Sequence, residues 1–220
     1  MRHFFLMVLA CLGFIKPIMG DEPVYTAKDF SALLEMPLWS QDLLKMHFTL
    51  YQGYVKNTNL LSSKLKELND NHQSKSYEFG ALKRRFGWEF DGMRLHELYF
   101  ENLSVTSIPL KEDSLLEQIN RDFGSFEAWK EDFIATGLIR GIGWVILYKD
   151  PSSGKLFNAW INEHDVGHLA LGVPLLVMDV FEHAYITQFG LDRAKYIDQF
   201  FQNLNWQVIV ERFLHSTKKS

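Results

Sequence analysis

The apolar run 173–178, Val-Pro-Leu-Leu-Val-Met, ends on an aspartate, and that junction constrains the fold more than any other stretch of the chain. The run is short, rich in Val and Leu, and bounded by a glycine and a charge, which predicts a buried strand. Ending on Asp179, the strand carries a carboxylate to the core, where such a group must be paired or bound to a metal. Four residues on stands His183, at the start of a segment with helical spacing. A carboxylate oxygen and an imidazole nitrogen facing one cavity suit first-row transition metals such as manganese, iron or zinc. The pair alone is explained more simply as an N-cap aspartate followed by a hydrogen-bonded core histidine, because a metal site needs more than two ligands.

The 220 residues are 47% hydrophobic and 15% aromatic, enough for one sizeable core or two small domains. A net charge of −4 and a pI of about 6.1 leave no nucleic-acid footprint. The first residues have the pattern of a signal peptide over 1–20. Met1-Arg2-His3 is basic, the apolar stretch 4–15 is twelve residues long and too short to span a bilayer, and Ile18-Met19-Gly20 offers cleavage before Asp21. Removing that segment takes away two basic residues and no acidic ones, leaving 21 basic against 27 acidic and a net charge of −6. This pattern predicts export, to a periplasm or outside the cell. Val8-Leu9-Ala10-Cys11 competes as a lipoprotein box with a lipid anchor at Cys11, and an uncleaved N-terminus is the third reading. Cys11 is the only cysteine, so cleavage after Gly20 leaves His, Asp and Glu as the metal ligands available.

From Ser40 the spacing is helical, with Leu43, Leu44, His47, Leu50, Tyr51, Tyr54 and Val55 at three- and four-residue steps, continuing through Leu68. Residues 69–74 form a polar turn that places His72 in solvent. A second helix over 77–100 makes an antiparallel hairpin with the first. Residues 104–109 read as a linker, which divides the chain into a helical hairpin domain, 21–106, and a C-terminal domain, 107–220. Helices are predicted over 113–123 and 125–136, with Ser125 as an N-cap. The period then switches to strands at 143–148 and 156–161 around the turn 150–154. With 173–178 these give a three-stranded, mainly antiparallel sheet, and helices around 182–189, 192–204 and 207–214 close an α+β chain.

Of eight histidines, His3 lies in the targeting segment, His72 in a turn and His215 near the charged C-terminus, which leaves His47, His96, His164, His168 and His183. His47 and His96 lie on the apolar faces of the two hairpin helices. Joined to Asp179 and His183, they make a three-histidine, one-carboxylate set with an open position for solvent and substrate.

In order along the chain, these segments resemble the iron/manganese superoxide dismutase family. Residues 179–185, Asp-Val-Phe-Glu-His-Ala-Tyr, are similar to its D-x-W-E-H-A-Y signature, and residues 92–100 to its G-x-x-N-H-x-x-x-W segment. His47 followed by Tyr54-Val55 and Asn59, Gly141-Ile142-Gly143-Trp144, and Asn205-Trp206 resemble three further family segments. The resemblance implies one manganese or iron per subunit held by His47, His96, Asp179 and His183, with superoxide as substrate. It implies His164 as the residue that hydrogen-bonds the metal-bound solvent from the sheet side, opposite Gly92, an arrangement that leans toward manganese or dual-metal use. It further implies Tyr54 in a proton relay, Trp144 as a pocket wall, and Arg193 as a basic gate. Glu182 would reach the equivalent of His183 across the two-fold axis of a homodimer. His164 and His168 as a separate i, i+4 metal pair is the competing reading for those two residues.

Two departures stand out. The family's H-x-x-x-H-H-x-x-Y has no counterpart for its rim histidine here, and the spacing from His47 to Tyr54 is one residue shorter. The tyrosine that partners that histidine across the dimer is Ile186, so both ends of one hydrogen bond are lost together and a looser dimer is expected. Phe100 and Phe181 stand where the family has Trp. Two other function classes fit less of the sequence: a binding or structural protein on the same fold, and a non-haem metal oxygenase or hydrolase, which a two-histidine set lacking the fourth ligand would favour.

Overall fold

The computed structural model describes residues 24–217. The expected targeting segment, with His3, Cys11 and the cleavage position before Asp21, lies outside the described residues.

A 3-10 turn over Ser31–Glu35 leads into two long helices, α1 over Gln41–Asp70 and α2 over Tyr77–Glu101. Ser40 and Ser76 cap them, each hydroxyl accepting the N–H three residues on, from Leu43 and Phe79. The three- and four-residue repeat of α1 buries Leu44, His47, Tyr51, Val55 and Thr58 along one stripe, and α2 buries Met93, His96, Tyr99 and Phe100 against it. In the turn between them His72 is exposed and left-handed, with φ 57°. After α2, residues Leu103 and Ile108 bridge to Leu204 and Asn205 near the C-terminus.

Helices α3 (Ser114–Phe123) and α4 (Phe126–Gly137) follow, capped by the side chains of Asp113 and Ser125. Strands β1 (Gly143–Lys149), β2 (Leu156–Asn162) and β3 (Val173–Asp179) form a sheet of order β2-β1-β3 with both pairings antiparallel. The α+β class expected from the periodicity is the one found. The central strand β1 is buried along its whole length, apolar from Trp144 to Leu147 and ending on Tyr148 and buried Lys149.

The single helix expected over 182–189 is instead a 3-10 turn, Glu182–Ala184, and a one-turn helix α5, Ile186–Phe189, separated by Tyr185 at φ −145°. The N–H groups of Ala184 and Tyr185 bond three residues back, to the carbonyls of Phe181 and Glu182. That tighter turn keeps the His183 ring within reach of Asp179. Helices α6 (Arg193–Gln202) and α7 (Trp206–Thr217) complete the chain. Among the described residues, no helix is long and apolar enough to cross a membrane.

Asn102, fully buried at the C-terminus of α2, ties the two halves together. Its side chain donates to the Val177 carbonyl of β3 at 2.7 Å and accepts from Arg212 of α7 at 2.6 Å. Arg212 also donates to the carbonyls of Leu98 and Leu175 and to the Glu101 carboxylate. Truncating Asn102 strands a buried carbonyl and weakens the hold on a buried guanidinium, each worth about 1–3 kcal/mol. Urea unfolding of Asn102→Ala is expected to give a loss of about 3 kcal/mol, whereas Glu67→Gln, in an exposed pair with Lys64, costs less than about 0.5 kcal/mol.

Candidate metal centre

Asp179 is the last residue of β3 and is wholly buried. One carboxylate oxygen, Oδ1, accepts the N–H of Phe181 at 2.8 Å, and its backbone carbonyl accepts the Tyr196 hydroxyl at 2.6 Å. These bonds leave Oδ2 facing three imidazoles. Nε2 of His47 and of His183 each lie 3.1 Å from it, and Nε2 of His96 lies 3.7 Å away. The ligand atoms of His47, His96, Asp179 and His183 all lie within 4.8 Å of one another. Two hairpin helices, one strand end and the tight turn after it thus bring together the four residues singled out in the sequence.

His96 carries the clearest sign that an ion belongs here. Its Nδ1–H donates to the Gly92 carbonyl one turn back, and because a carbonyl only accepts, the proton is fixed on Nδ1. Its Nε2 lone pair is buried, aimed at the other ligands, and without a hydrogen-bond partner. Burial holds both His47 and His96 below the usual histidine pKa, which favours the neutral, metal-binding form of each ring. Burial opposes ionisation of Asp179 too, but the His183 and His47 rings outweigh it and hold the carboxyl well below the usual carboxylate range. Three imidazoles and one carboxylate fit manganese or iron.

A second group of side chains packs on this set. Trp144 lies directly across from Asp179 in the β1–β3 register. Its indole N–H donates to Nδ1 of His164 at 3.1 Å, and His164 Nε2 lies 2.7 Å from the Tyr54 hydroxyl oxygen. An indole N–H can only donate, so neutral His164 holds its proton on Nε2 and donates it to Tyr54. Burial pushes the His164 pKa down to about 4 and that of Tyr54 up to about 12, so both are neutral near pH 7. The seven residues from His47 to Tyr54 are close to two helical turns and set both on one face of α1. The Tyr54 ring stacks on His96 at 5.1 Å, in space that exists because residue 92 is glycine: a Cβ there would lie 2.7 Å from the Tyr54 ring. Phe181 stacks between His164 at 4.7 Å and His183 at 5.1 Å, and Phe100 meets His47 edge-on at 4.9 Å.

Other residues have partners of their own. Arg193 donates to the carbonyls of Ile139 and Gly141 at 2.8 Å each and to the Tyr185 hydroxyl, so its guanidinium is spent on the 137–141 loop. Tyr51 is buried, with its hydroxyl on Glu97 and on the Lys28 N–H. His164 and His168 do not form a metal pair: Trp144 and Tyr54 occupy the nitrogens of one, and Tyr148 and the His164 carbonyl those of the other. Sequence reasoning missed Trp88, which packs edge-on to His164 at 4.8 Å, and Arg85, stacked on Trp88 at 4.9 Å. Nothing local in the sequence marks either one, since each is defined by a contact across the fold.

Residues 111–212 match the family model described as "Iron/manganese superoxide dismutases, C-terminal domain". The chain is 37% identical to "Superoxide dismutase [Fe]" of Cupriavidus metallidurans over 79% of this chain and 88% of that protein. It is 35% identical to "Superoxide dismutase [Fe]" of Aquifex aeolicus, over 81% of this chain and 86% of that one. It is also 35% identical to "Superoxide dismutase [Mn]" of Haloarcula marismortui, over 84% of this chain and 89% of that protein.

Proposed function

The chain belongs to the iron/manganese superoxide dismutase family, and from that premise we propose how its residues divide the work. The reaction is dismutation: two superoxide anions and two protons give dioxygen and hydrogen peroxide. Manganese or iron, when bound, supplies a one-electron couple between +3 and +2 that takes an electron from one superoxide and returns it to the next. His47, His96, Asp179 and His183 hold it, and the observation that carries this assignment is the unpartnered Nε2 of buried His96 beside Asp179 Oδ2. The Asp179 carboxylate favours the more oxidised ion through its charge.

The remaining residues manage protons and access. Trp144 pins the His164 tautomer, and the His164 Nε2–H holds the Tyr54 oxygen. This leaves the Tyr54 O–H free to donate toward the product anion, and the Nε2–H then steadies the phenolate until solvent returns a proton. Trp144 and Phe181 wall the site with apolar surface. The chain is net acidic and the substrate is an anion, so attraction must be local. Arg85, half exposed above Trp88 and paired with buried Glu89, is a cation in the right place for that. Arg193 acts indirectly, by fixing the loop that leads into β1 and Trp144.

Manganese- or iron-loaded protein is expected to dismutate superoxide, and zinc-loaded protein is not, because zinc has no redox couple. Asp179→Ala should lose the metal and the activity together, with His72→Ala retaining both. Full metal occupancy in Asp179→Ala, read by plasma emission spectroscopy, would overturn the ligand assignment.

The proposal extends to assembly. His183 is the one ligand with an exposed edge, 23% against 1% or less for the other three, and the neighbouring Glu182 carboxylate faces solvent. A second copy bringing its own Glu182 to that edge, and receiving the first copy's in return, satisfies both groups in a homodimer. Ile186, 41% exposed nearby, adds apolar surface in place of a hydrogen bond. Sedimentation should show a dimer at micromolar concentration, and Glu182→Ala should raise its Kd at least about thirtyfold. A fully active wild-type monomer at that concentration would contradict it.

Export remains part of the same proposal, supported by the basic start, the twelve-residue apolar stretch and the absence of cysteine after residue 11. N-terminal sequencing of protein from its native cell should begin near Asp21. A chain retaining Met1 in the cytosolic fraction would refute it.

A further inference from the structure

The connection between β2 and β3, residues 163–172, carries His164, yet its backbone is not relaxed. Glu163 at φ 56° and Leu171 at φ 63° both occupy the left-handed region, which a side chain with a Cβ disfavours. Leu171 is 86% exposed, so no burial of its own side chain holds it there. Backbone bonds between Asn162 and Val166 and from Gly172 to Leu169 close the two ends of the loop, and the 2.7 Å bond from His164 to Tyr54 depends on where the stretch between them lies.

His168, one loop turn beyond His164, is gripped from two sides. Its Nε2 lies 2.8 Å from the His164 backbone carbonyl, and because that carbonyl only accepts, Nε2 carries the proton. Its Nδ1 lies 2.7 Å from the Tyr148 hydroxyl, which donates to it. Tyr148 is itself a fixed point, a nearly buried residue of β1. Its ring fits because residue 172 is glycine: a Cβ there would lie 2.8 Å from the ring. On the other side, Asp91 of α2, the residue before Gly92, approaches His168 Nε2 at 3.7 Å. The imidazole therefore joins the central strand, the loop backbone and the helix that carries His96.

We propose that His168 is a positioning residue: held by the Tyr148 hydroxyl, it fixes the His164 backbone so that the His164 Nε2–H meets the Tyr54 oxygen. The inference rests on the reading of His164 and Tyr54 as the proton-handling pair. A misplacement of about 1 Å at a reacting group is enough to cost up to about a hundredfold in rate, and a bond of 2.7 Å does not survive it.

The test uses full-length protein with ¹⁵N-labelled histidine, loaded with zinc as a diamagnetic stand-in, so that hydrogen-bonded imidazole N–H protons can be read by NMR. Wild type should show the His164 Nε2–H resonance alongside that of His96 Nδ1–H, which bonds the Gly92 carbonyl and serves as an internal control. His168→Leu should lose the His164 resonance and keep the His96 one. His168→Gln should retain both, since its amide can donate to the His164 carbonyl and accept from Tyr148. In the manganese-loaded enzyme, His168→Leu should lower kcat about tenfold with kcat/KM changed less than about twofold, and His168→Gln should stay close to wild type. Tyr148→Phe, which removes one hydroxyl, replaces His168→Leu if that variant does not fold. A full-intensity His164 resonance in His168→Leu and Tyr148→Phe would overturn the proposal, as would equal loss in His168→Gln. Loss of the resonance with kcat unchanged would instead overturn the role of His164 in the reaction.

Discussion

A carboxylate taken wholly out of water costs several kcal/mol unless its charge is answered at short range. Asp179 sits at 0% exposure, and the structure around it is the answer. One oxygen is held by a backbone N–H at the turn after β3, and the other faces three imidazoles brought from two helices and that same turn. Even so, an imidazole nitrogen, Nε2 of His96, is left buried and unpartnered. An ion with positive charge resolves both the surplus carboxylate and the orphaned lone pair. The long hairpin, the strand and the interrupted helix after it are what hold those groups within reach.

Around this centre, single proton positions are set by groups that can only donate or only accept. The Gly92 carbonyl fixes the His96 tautomer, and the Trp144 indole fixes that of His164. Each lies one step outward from a functional ring, and each is placed by regular structure: the i−4 carbonyl of a helix in one case, a cross-strand register pair in the other. Gly92 serves twice, through its carbonyl and through the missing Cβ that lets the Tyr54 ring lie on His96. Access and proton supply thus follow from the same backbone that binds the metal.

Much of this was legible in the sequence. The strand ending in Asp179, the four-residue step to His183, and the places of His47 and His96 on apolar helical faces are local signals, and the periodicities carry them. Resemblance to a family pointed to Tyr54, Trp144 and His164, which lie together here. The two nitrogens of His164, though, are taken by Trp144 and Tyr54 rather than left for the solvent bond the resemblance implied. What stayed hidden was contact across the fold. Arg193 stands at the expected distance after His183, yet its side chain turns to the carbonyls of residues 139 and 141. The helix expected over 182–189 is broken at Tyr185, because the helical spacing there does not record that His183 must turn back to its own strand. Trp88 beside His164, and Asn102 joining α2, β3 and α7, are set by tertiary packing between segments far apart in the chain.

Anomalous X-ray diffraction from crystals of the manganese- or iron-loaded protein, recorded at the absorption edge of the metal, tests the central claim most directly. The account predicts one peak per chain, bounded by Nε2 of His47, His96 and His183 and by Oδ2 of Asp179. A peak bounded by other residues, such as Asp91 and His168, or a centre from which His96 Nε2 is absent as a ligand, would contradict it.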